Sequence, residues 1–361
     1  MAIDAIVRPY TLDFKFAAGT SRGVLNQKRT YFIKVWDDHA PDVYGIGECG
    51  PLAKLSIDDL ENYEDVITEK LKELRSQPVP GHEEAVYDLA CKVAGDQWPA
   101  LCFAIETALL DLMHGGKRMI FDTPFYHSQK PMPINGLVWM GHMEAMLLQI
   151  SDKVAAGFDC IKMKVGSLDF EKEVDILQYI RRKYYDKQIM LRVDANGAFK
   201  AEEALYKLNA IARYDIHSIE QPVKAGQPGL MAELCQKSPV PIALDEELIG
   251  IRPSERRSLL ETIKPQYIIL KPTLVGGLRA TREWIMLAEE LGIGWWMTSA
   301  LESNIGLNAI CQLTGQLGAK GYQGLGTGQL YHNNIDSPLT IQAGTIYYDQ
   351  SKPWQLPDLL T

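Results

Sequence analysis

Three absences restrict what this chain can be before any motif is considered. No uninterrupted apolar stretch reaches about 18 residues, and the N-terminal MAIDAIVRPYTLDF has no apolar signal core. We therefore expect neither a transmembrane helix nor a secretory signal, but a soluble, cytoplasmic protein. The net charge of −9 shows no surplus of Lys and Arg, so nucleic acid and anionic membranes are not expected partners. An anionic small-molecule substrate stays compatible, because a bound cation and a few lysines can make one pocket positive.

Cysteine and histidine also lack the spacings of familiar reactive sites. The six cysteines are scattered without a C-x-x-C pair, so we expect reduced thiols. The seven histidines form no H-E-x-x-H or Ser-His-Asp order, and His217 is expected to be structural. The 46% hydrophobic content predicts an ordinary folded chain, and 361 residues suffice for a barrel and a second, smaller domain. The sequence leaves a homo-oligomeric state open.

Short apolar runs that end in charged residues dominate the second half of the chain. They are CIKMKVG (160–166), IMLRVDANG (189–197), IHSIEQP (216–222), PIALDEE (241–247) and YIILKP (267–272). Their length and composition predict buried parallel strands. Asp194, Glu220, Asp245 and Lys271 follow one another at intervals of 26, 25 and 26 residues, which fits one strand-plus-helix unit per step. Such a series closes into a barrel whose strand ends converge on one mouth.

The acids at these strand ends predict a metal site. Asp194, Glu220 and Asp245 would repel one another at a common point, so a cation has to neutralise them. Oxygen ligands with open positions for water and substrate suit Mg²⁺, with Mn²⁺ as an alternative. Lys162 and Lys164 lie two residues apart on one strand and therefore share a face. The alternative, that charges merely mark strand ends at the surface, explains single residues but not the whole set in one register.

These residues carry a resemblance to a known family. The motif set of the enolase superfamily is matched in order and spacing by Lys162 and Lys164 (K-x-K), Asp194 and Asn196 (D-x-N), Glu220 of IEQP, Asp245-Glu246 and Lys271-Pro272. Lysines on both sides resemble its muconate-lactonizing subgroup. The resemblance covers nearly the whole chain. It implies an α/β fold, a modified TIM barrel (β/α)7β with an N-terminal α+β capping domain, and metal-assisted abstraction of a proton α to a carboxylate through an enediolate.

The segments before the barrel fit the capping domain that the resemblance implies over residues 1–125. Strands are expected at 2–15, 29–36 and 43–48, and helices at about 57–76, 83–93 and 99–113. The glycine-containing connection 16–29 is expected to be a lid loop, as in this family, with Arg22 as its anion contact; a disordered hairpin tip is the alternative. The loop in 45–56 should also face the mouth.

The remaining segments complete the predicted organisation. Residues 126–328 are expected to form the (β/α)7β barrel, with PINGLVWMG (133–141) as its first strand and the weak GYQGLGTG (321–328) as its last. Residues 329–361 contain a strand-like stretch outside the barrel register. We expect this C-terminal segment to return to the capping domain.

Two segments narrow the resemblance within the superfamily. SALESNIGL (299–307) and IKPQYIILKPTLVGG (263–277) resemble the o-succinylbenzoate synthases, dehydratases of menaquinone biosynthesis. Ser299, Glu302 and Ser303 are candidate substrate contacts, although Ser303 or Asn304 could instead simply cap the following helix. Dipeptide epimerases usually carry D-x-D near the eighth strand, where this chain has GLGTG. A dipeptide epimerase or N-acylamino acid racemase is kept as the alternative.

The resemblance also implies roles for the site residues. The implied reaction is the syn-dehydration of 2-succinyl-6-hydroxy-2,4-cyclohexadiene-1-carboxylate to o-succinylbenzoate. By this resemblance Lys164 removes the α-proton and then protonates the departing hydroxyl. Lys162 lowers the pKa of Lys164 by like-charge repulsion. Lys271 stabilises the enolate from the opposite side, and Asn196 and Glu246 orient ligands. A non-catalytic barrel would have no evident need for these groups.

Overall fold

The computed structural model describes residues 2–20, 23–166 and 168–360. The strands in these ranges are β1 (Ile3–Thr20), β2 (Gly23–Asp37), β3 (Ala40–Cys49), β4 (Met132–Pro133), β5 (Gly136–Val138), β6 (Cys160–Lys164), β7 (Met190–Asp194), β8 (Ile216–Glu220), β9 (Ile242–Leu244), β10 (Tyr267–Leu270), β11 (Gly294–Met297), β12 (Leu339–Gln342) and β13 (Thr345–Tyr348). The helices are α1 (Tyr63–Leu74), α2 (Glu83–Ala94), α3 (Pro99–Met113), α4 (Pro124–His127), α5 (Met143–Ala155), α6 (Phe170–Lys183), α7 (Ala201–Ala212), α8 (Pro228–Lys237), α9 (Pro253–Ile263), α10 (Pro272–Val275), α11 (Gly277–Glu290) and α12 (Asn304–Gln316). None of the helices in the described ranges combines the length and apolarity that a membrane span requires. All six cysteines are free thiols.

The N-terminal part is an antiparallel sheet in the order β1, β2, β3, with α3 packed on its face. This helix is buried along almost its whole length, because it lies directly against β3. Gly45 and Gly47 permit the approach, since a Cβ on them would come within 1.9 Å of the carbonyl oxygens of Ala108 and Ala104, respectively. The sheet and α3 therefore form one tightly packed layer pair.

The first predicted helix is shorter than expected. It begins at Tyr63 rather than near residue 57. Asp58 is fully buried outside the helix, where it accepts hydrogen bonds from Tyr63 Oη (2.8 Å) and the Ala100 N–H (2.9 Å). These contacts fix Asp58 against the start of α3, so the residues around Asp58 do not extend α1 toward the N-terminus.

Residues 16–29 are predicted to form a lid loop, but the structure differs. Residues 16–20 and 23–29 belong to β1 and β2, which continue as one long hairpin to Thr20 and Gly23. The cause is a register shift in β1 between Asp13 and Ala18. Residues between these two pairing positions bulge, which breaks the alternation of apolar and polar side chains that marks a strand in sequence.

The end of this hairpin lies at the barrel mouth. Gly19 forms an isolated bridge with Met140, and the ring centroids of Phe16 and Trp139 are 5.7 Å apart. A side chain at Gly19 would meet the Met140 carbonyl oxygen at 2.9 Å, so the close approach requires glycine. The predicted position over the mouth thus survives, while closure over a substrate stays a prediction.

The barrel is one parallel sheet in which β5 to β11 follow in chain order. Helices α5 to α9 and α11 alternate with its strands. Two bridges, Gln323 with Ile134 and Gly324 with Thr298, close the sheet. The predicted eighth strand at 321–328 is reduced to these bridges, because its four glycines leave few side chains to support a strand.

The C-terminal segment divides between two places. The hairpin β12–β13 pairs with β4 at the start of the barrel, whereas Ile335 and Leu360 pack with Phe32 and Ile46 of the capping sheet. The chain before it does contact β1, since the Lys15 N–H donates to Leu330 O and the His332 N–H donates to Asp13 O, both at 2.9 Å. The domain boundaries at 125 and 328 stay a prediction.

Candidate active site

Charged side chains end five neighbouring strands of the barrel. Lys164, Asp194 and Glu220 are the last residues of β6, β7 and β8, and the strand register sets them side by side. Asp245 follows β9 directly, and Lys271 follows β10 directly. Because parallel strands place their carboxyl ends at the same edge of a barrel, the regular sequence interval becomes one cluster at the mouth.

Two lysines of β6 hold the first carboxylates. Lys162 Nζ lies 3.0 Å from Asp194 Oδ2 and also donates a hydrogen bond to Glu220 Oε2. Lys164 Nζ lies 3.0 Å from the same Asp194 oxygen. Lys162, Asp194 and Glu220 are each at most 6% exposed. These ion pairs offset part of the hydration energy that the charges lose on burial.

Asn196 and Glu246 extend this network, while their role in orienting ligands stays a prediction. Asn196 Oδ1 accepts a hydrogen bond of 2.6 Å from Lys164 Nζ, and its Nδ2 donates to Glu246 Oε1 at 3.0 Å. Asn196 has a φ of 42°, a left-handed conformation that costs about 1 kcal/mol or more for a non-glycine residue. Two fixed hydrogen bonds therefore hold Lys164 in place.

The pKa values in this cluster are set by burial and by neighbouring charges. Burial raises the pKa of Glu220 well above its ordinary value, and the charge of Asp194 adds to the effect. Burial acts on Asp194 in the same direction, but the ammonium groups of Lys162, Lys164 and Lys271 together outweigh it and lower the pKa of Asp194. Lys271 donates a hydrogen bond to Asp245 and, against burial, lowers the pKa of that carboxyl. Glu220 is thus the carboxylate whose charge is least compensated.

The donor set suits a hard divalent cation. Asp194, Glu220 and Asp245 offer only oxygen atoms, the ligands that Mg²⁺ prefers. Glu220 Oε1 is buried and has no hydrogen-bond partner among the described residues, as expected of an oxygen that serves another ligand. As they stand, no three His, Cys, Asp or Glu side chains in the described ranges are arranged to hold a metal ion, since the lysine ammonium groups face these carboxylates.

A cavity opens onto the cluster from the mouth. Lys164 and Lys271 line it together with Leu52, which belongs to the second predicted mouth loop, and with Trp139. Apolar walls beside two ammonium groups suit a carboxylate ligand with a ring. The residues of the cluster therefore face a space that can admit a small molecule.

The predicted substrate contacts after β11 are only partly placed at this cavity. Ser299 lines it, but Glu302 and Ser303 are fully buried behind it. The Ser303 hydroxyl donates to Glu48 Oε2 at 2.5 Å and accepts a hydrogen bond at the start of α12, as the capping alternative predicts. Glu302 and Ser303 thus do not line the cavity, and their role as substrate contacts stays a prediction. Arg22 lies outside the described residues.

Lys28 is a residue of the site region that sequence reasoning missed. Its ammonium donates to Ala300 O at 3.1 Å and to Leu301 O at 2.9 Å, and it is 4% exposed. Leu301 has a φ of 63°, so this backbone is strained. Ala300 and Leu301 both line the cavity. Lys28 therefore fixes part of the cavity wall from the capping sheet.

Gln221 is a second such residue. Its Oε1 accepts hydrogen bonds from the N–H groups of Asp245 (3.2 Å) and Glu247 (3.3 Å), and its Nε2 donates to Glu247 Oε2 at 3.0 Å. It therefore fixes the backbone that carries Asp245. The signal was its place directly after Glu220 in IEQP.

A parallel barrel with charged side chains clustered at its mouth is typical of barrel enzymes, and comparison with known proteins agrees. Residues 145–353 match the family described as Enolase C-terminal domain-like, and the chain belongs to this family. The crystal structure of MenC from Desulfotalea psychrophila LSv54 has a TM-score of 0.84 and 38% identity, covering 96% of this chain and 100% of that one. The resemblance to the enolase superfamily and the modified TIM-barrel fold with an N-terminal capping domain are confirmed.

Two curated relatives with different activities differ in their sequence identity to this chain. The chain is 43% identical over 357 residues to the o-succinylbenzoate synthase of Desulfotalea psychrophila, covering 93% of this chain and 96% of that protein. It is 24% identical over 311 residues to the L-Ala-D/L-Glu epimerase of Bacillus subtilis, covering 84% and 81%, respectively. Similarity to the epimerase is therefore distant.

Proposed function

We propose that this protein is an o-succinylbenzoate synthase. It would dehydrate 2-succinyl-6-hydroxy-2,4-cyclohexadiene-1-carboxylate to o-succinylbenzoate, a hydro-lyase step of menaquinone biosynthesis. The observation that carries the proposal is the 43% identity to a protein of that activity, which extends over nearly the whole of both chains. The lysines on two sides of a carboxylate cluster support it, because they fit proton abstraction next to a carboxylate.

We further propose that Asp194, Glu220 and Asp245 hold Mg²⁺, or Mn²⁺ in its place. Their oxygen donors and the partnerless Glu220 Oε1 support this assignment. When bound, the ion would supply Lewis-acid stabilisation of the charge on the substrate carboxylate. With the ion neutralising these carboxylates, the lysines that now face them would be released toward the ring carboxylate and the reacting proton of the substrate.

The protein groups divide the proton transfers. Lys164 would take the proton from the carbon next to the ring carboxylate, and the C–H electron pair would form an enediolate. Lys271 would stabilise that negative charge from the other side. Lys164 would then return the proton to the leaving hydroxyl, so that the C–O bond breaks, water departs and the ring becomes aromatic. The amide of Asn196 would orient Lys164 between the two steps.

A racemase or epimerase is the second candidate. Lys164 and Lys271 both line the cavity, which is the arrangement that two-base epimerisation requires. The segment 324–328 has no carboxylate for a substrate ammonium, which weighs against dipeptides. The two candidates differ in what the enzyme does to a cyclohexadiene and to a stereocentre.

The test is a direct comparison of substrates. Purified enzyme with Mg²⁺ is assayed on the cyclohexadiene by the change in ultraviolet absorbance on aromatisation, and on L-Ala-L-Glu and N-succinylamino acids by the change in optical rotation. We expect turnover of the cyclohexadiene at about 1–10³ s⁻¹. Protein carrying Lys164→Ala, purified in parallel, excludes a contaminating enzyme. Epimerisation of dipeptides with an untouched cyclohexadiene would overturn the substrate assignment.

A further inference from the structure

The cavity of the candidate site continues sideways through the barrel wall. Beyond the Ile134–Gln323 bridge, no backbone hydrogen bond between described residues joins β5 to segment 324–327. Gly324 and Gly326 line the cavity there and carry no side chain to fill the opening. The space therefore extends from the lysines at the mouth to the outer side of β5.

Lys153 of α5 lies at the outer end of this opening. Its stem covers β5, because a Cβ on Gly136 would lie 3.1 Å from Lys153 Cγ and Cδ. Its ammonium is 5.2 Å from the centroid of the Phe158 ring, and both residues line the cavity. Lys153 is thus the cation of the side opening, as Lys164 and Lys271 are the cations of the mouth.

The Lys153 ammonium is poorly compensated. No hydrogen bond or ion pair with another described residue holds it. Burial lowers its pKa, and the neighbouring Asp152 opposes this only in part. A partly desolvated ammonium whose only partner among the described residues is the face of the Phe158 ring is still poorly compensated, and an anion brought into the opening would relieve that cost.

Two residues that line the same cavity carry buried polar atoms without partners. The atoms are Asn135 Oδ1 and Thr298 Oγ1, neither of which has a hydrogen-bond partner in the part of the chain that the structure describes. The two residues are 5% and 9% exposed. A buried polar group without a partner usually serves a water molecule or a ligand. An elongated polar ligand in the opening would satisfy both.

We propose that this opening binds the anionic arm of the substrate, with Lys153 as its counter-charge and as a determinant of specificity for anionic arms. The inference rests on the proposed function, because that substrate carries one carboxylate on its ring and a second at the end of its succinyl arm. At the mouth, Lys162, Lys164 and Lys271 already face Asp194, Glu220 and Asp245. The second anion therefore needs a separate cation, and the cavity leads to one.

The experiment compares two ligands that differ only in the arm. Calorimetry with Mg²⁺ present measures binding of o-succinylbenzoate and of 2-butyrylbenzoate, whose arm ends in a methyl group. Lys153→Met keeps the apolar stem and removes the charge. We expect it to weaken o-succinylbenzoate binding about 10- to 100-fold, the range for one charge-assisted hydrogen bond. Binding of 2-butyrylbenzoate should stay within about two-fold, and KM for the cyclohexadiene should rise while kcat is nearly kept.

Three further variants make the result specific. Lys153→Arg keeps a positive charge and should retain most of the affinity. Lys153→Gln gives a second neutral variant if Lys153→Met fails to fold, as judged by circular dichroism. Lys130→Met removes an exposed lysine outside the cavity and should change the affinity for neither ligand.

Two outcomes would overturn the subsite. One is equal weakening of both ligands by Lys153→Met, and the other is unchanged binding of o-succinylbenzoate. If instead the wild-type enzyme neither binds o-succinylbenzoate nor turns over the cyclohexadiene, the proposed function itself fails. Normal wild-type turnover together with an unaffected Lys153→Met variant rejects the subsite alone.

Discussion

Lys164 and Lys271 stand on opposite sides of the carboxylate cluster. Lys164 ends β6 and Lys271 follows β10, with β7, β8 and β9 between them in the sheet. A syn-dehydration removes the proton and the hydroxyl on one face, so one base can serve both steps. Epimerisation needs a working acid or base on each face. The two lysines should therefore respond differently to substitution.

This division gives a prediction for single variants. Lys164→Ala should lose essentially all dehydration, because it removes the base. Lys271→Arg keeps the charge opposite but cannot exchange a proton near neutral pH. It should therefore retain more of any dehydration than of any racemisation. Both activities are measured as kcat on the wild type and the two variants.

The control is Lys187→Arg, the same substitution at an exposed lysine, which should leave both activities unchanged. Equal loss of dehydration and racemisation in Lys271→Arg would contradict the one-base account. Retained dehydration in Lys164→Ala would remove Lys164 from the chemistry.

Among single residues, the charged residues at the strand ends could be predicted from the sequence. Residues that hold the surrounding backbone, such as Lys28, could not. Asp194, Glu220 and Asp245 recur at a regular interval, and barrel geometry converts that interval into proximity. Lys28 contacts backbone oxygens 272 and 273 residues away. No local pattern marks such a partner, so its role follows only from the folded structure.

Among the elements, the β1–β2 hairpin connects the capping sheet to the wall of the candidate site. Through Lys28 it holds the carbonyl oxygens of Ala300 and Leu301, and Leu301 also accepts a hydrogen bond of 2.7 Å from the Tyr331 hydroxyl. The strained backbone at Leu301 is thus held from two directions. We expect the shape of the cavity to depend on this contact.

Lys28→Met tests the contact. The substitution leaves the buried Ala300 carbonyl without its Lys28 donor, while the Leu301 carbonyl keeps the Tyr331 hydroxyl. One buried acceptor without a donor costs about 1–3 kcal/mol, so the free energy of unfolding should fall by about 2 kcal/mol. KM for the cyclohexadiene should rise more than kcat falls, because the wall moves and the reacting groups do not. Urea unfolding and steady-state kinetics measure the two effects.

Lys15→Met removes an exposed lysine from the same hairpin and should be nearly neutral. Wild-type stability and KM in Lys28→Met would show that the hairpin does not hold the wall.

The sequence predicts elements well where the apolar pattern is regular. The strands β6 to β10 and the helices α2 and α3 lie where expected. The hairpin was misread as a loop because a bulge interrupts its alternation, and the eighth strand is nearly absent because glycines replace its side chains. In both places the pairing depends on a distant segment, which a local pattern does not reveal.

In the whole molecule, buried carboxylates of the capping part hold two helices of the barrel. Glu48 of β3 accepts hydrogen bonds from the N–H groups of Ser303 and Gly306, both at 2.9 Å, at the start of α12. Glu106 of α3 accepts one from the Leu278 N–H at the start of α11. A carboxylate at a helix N-terminus is favourable. The helices beside the mouth are therefore fixed by the capping part.

The central claim is that the carboxylate cluster works with a divalent metal ion in a dehydratase. The most direct measurement is turnover of the cyclohexadiene by metal-depleted enzyme during a titration with Mg²⁺, and chelator already saturated with Mg²⁺ is the control. We expect depleted enzyme to be inactive and Mg²⁺ to restore turnover along a saturable curve, with Mn²⁺ able to substitute. Full turnover in metal-free enzyme would contradict the account.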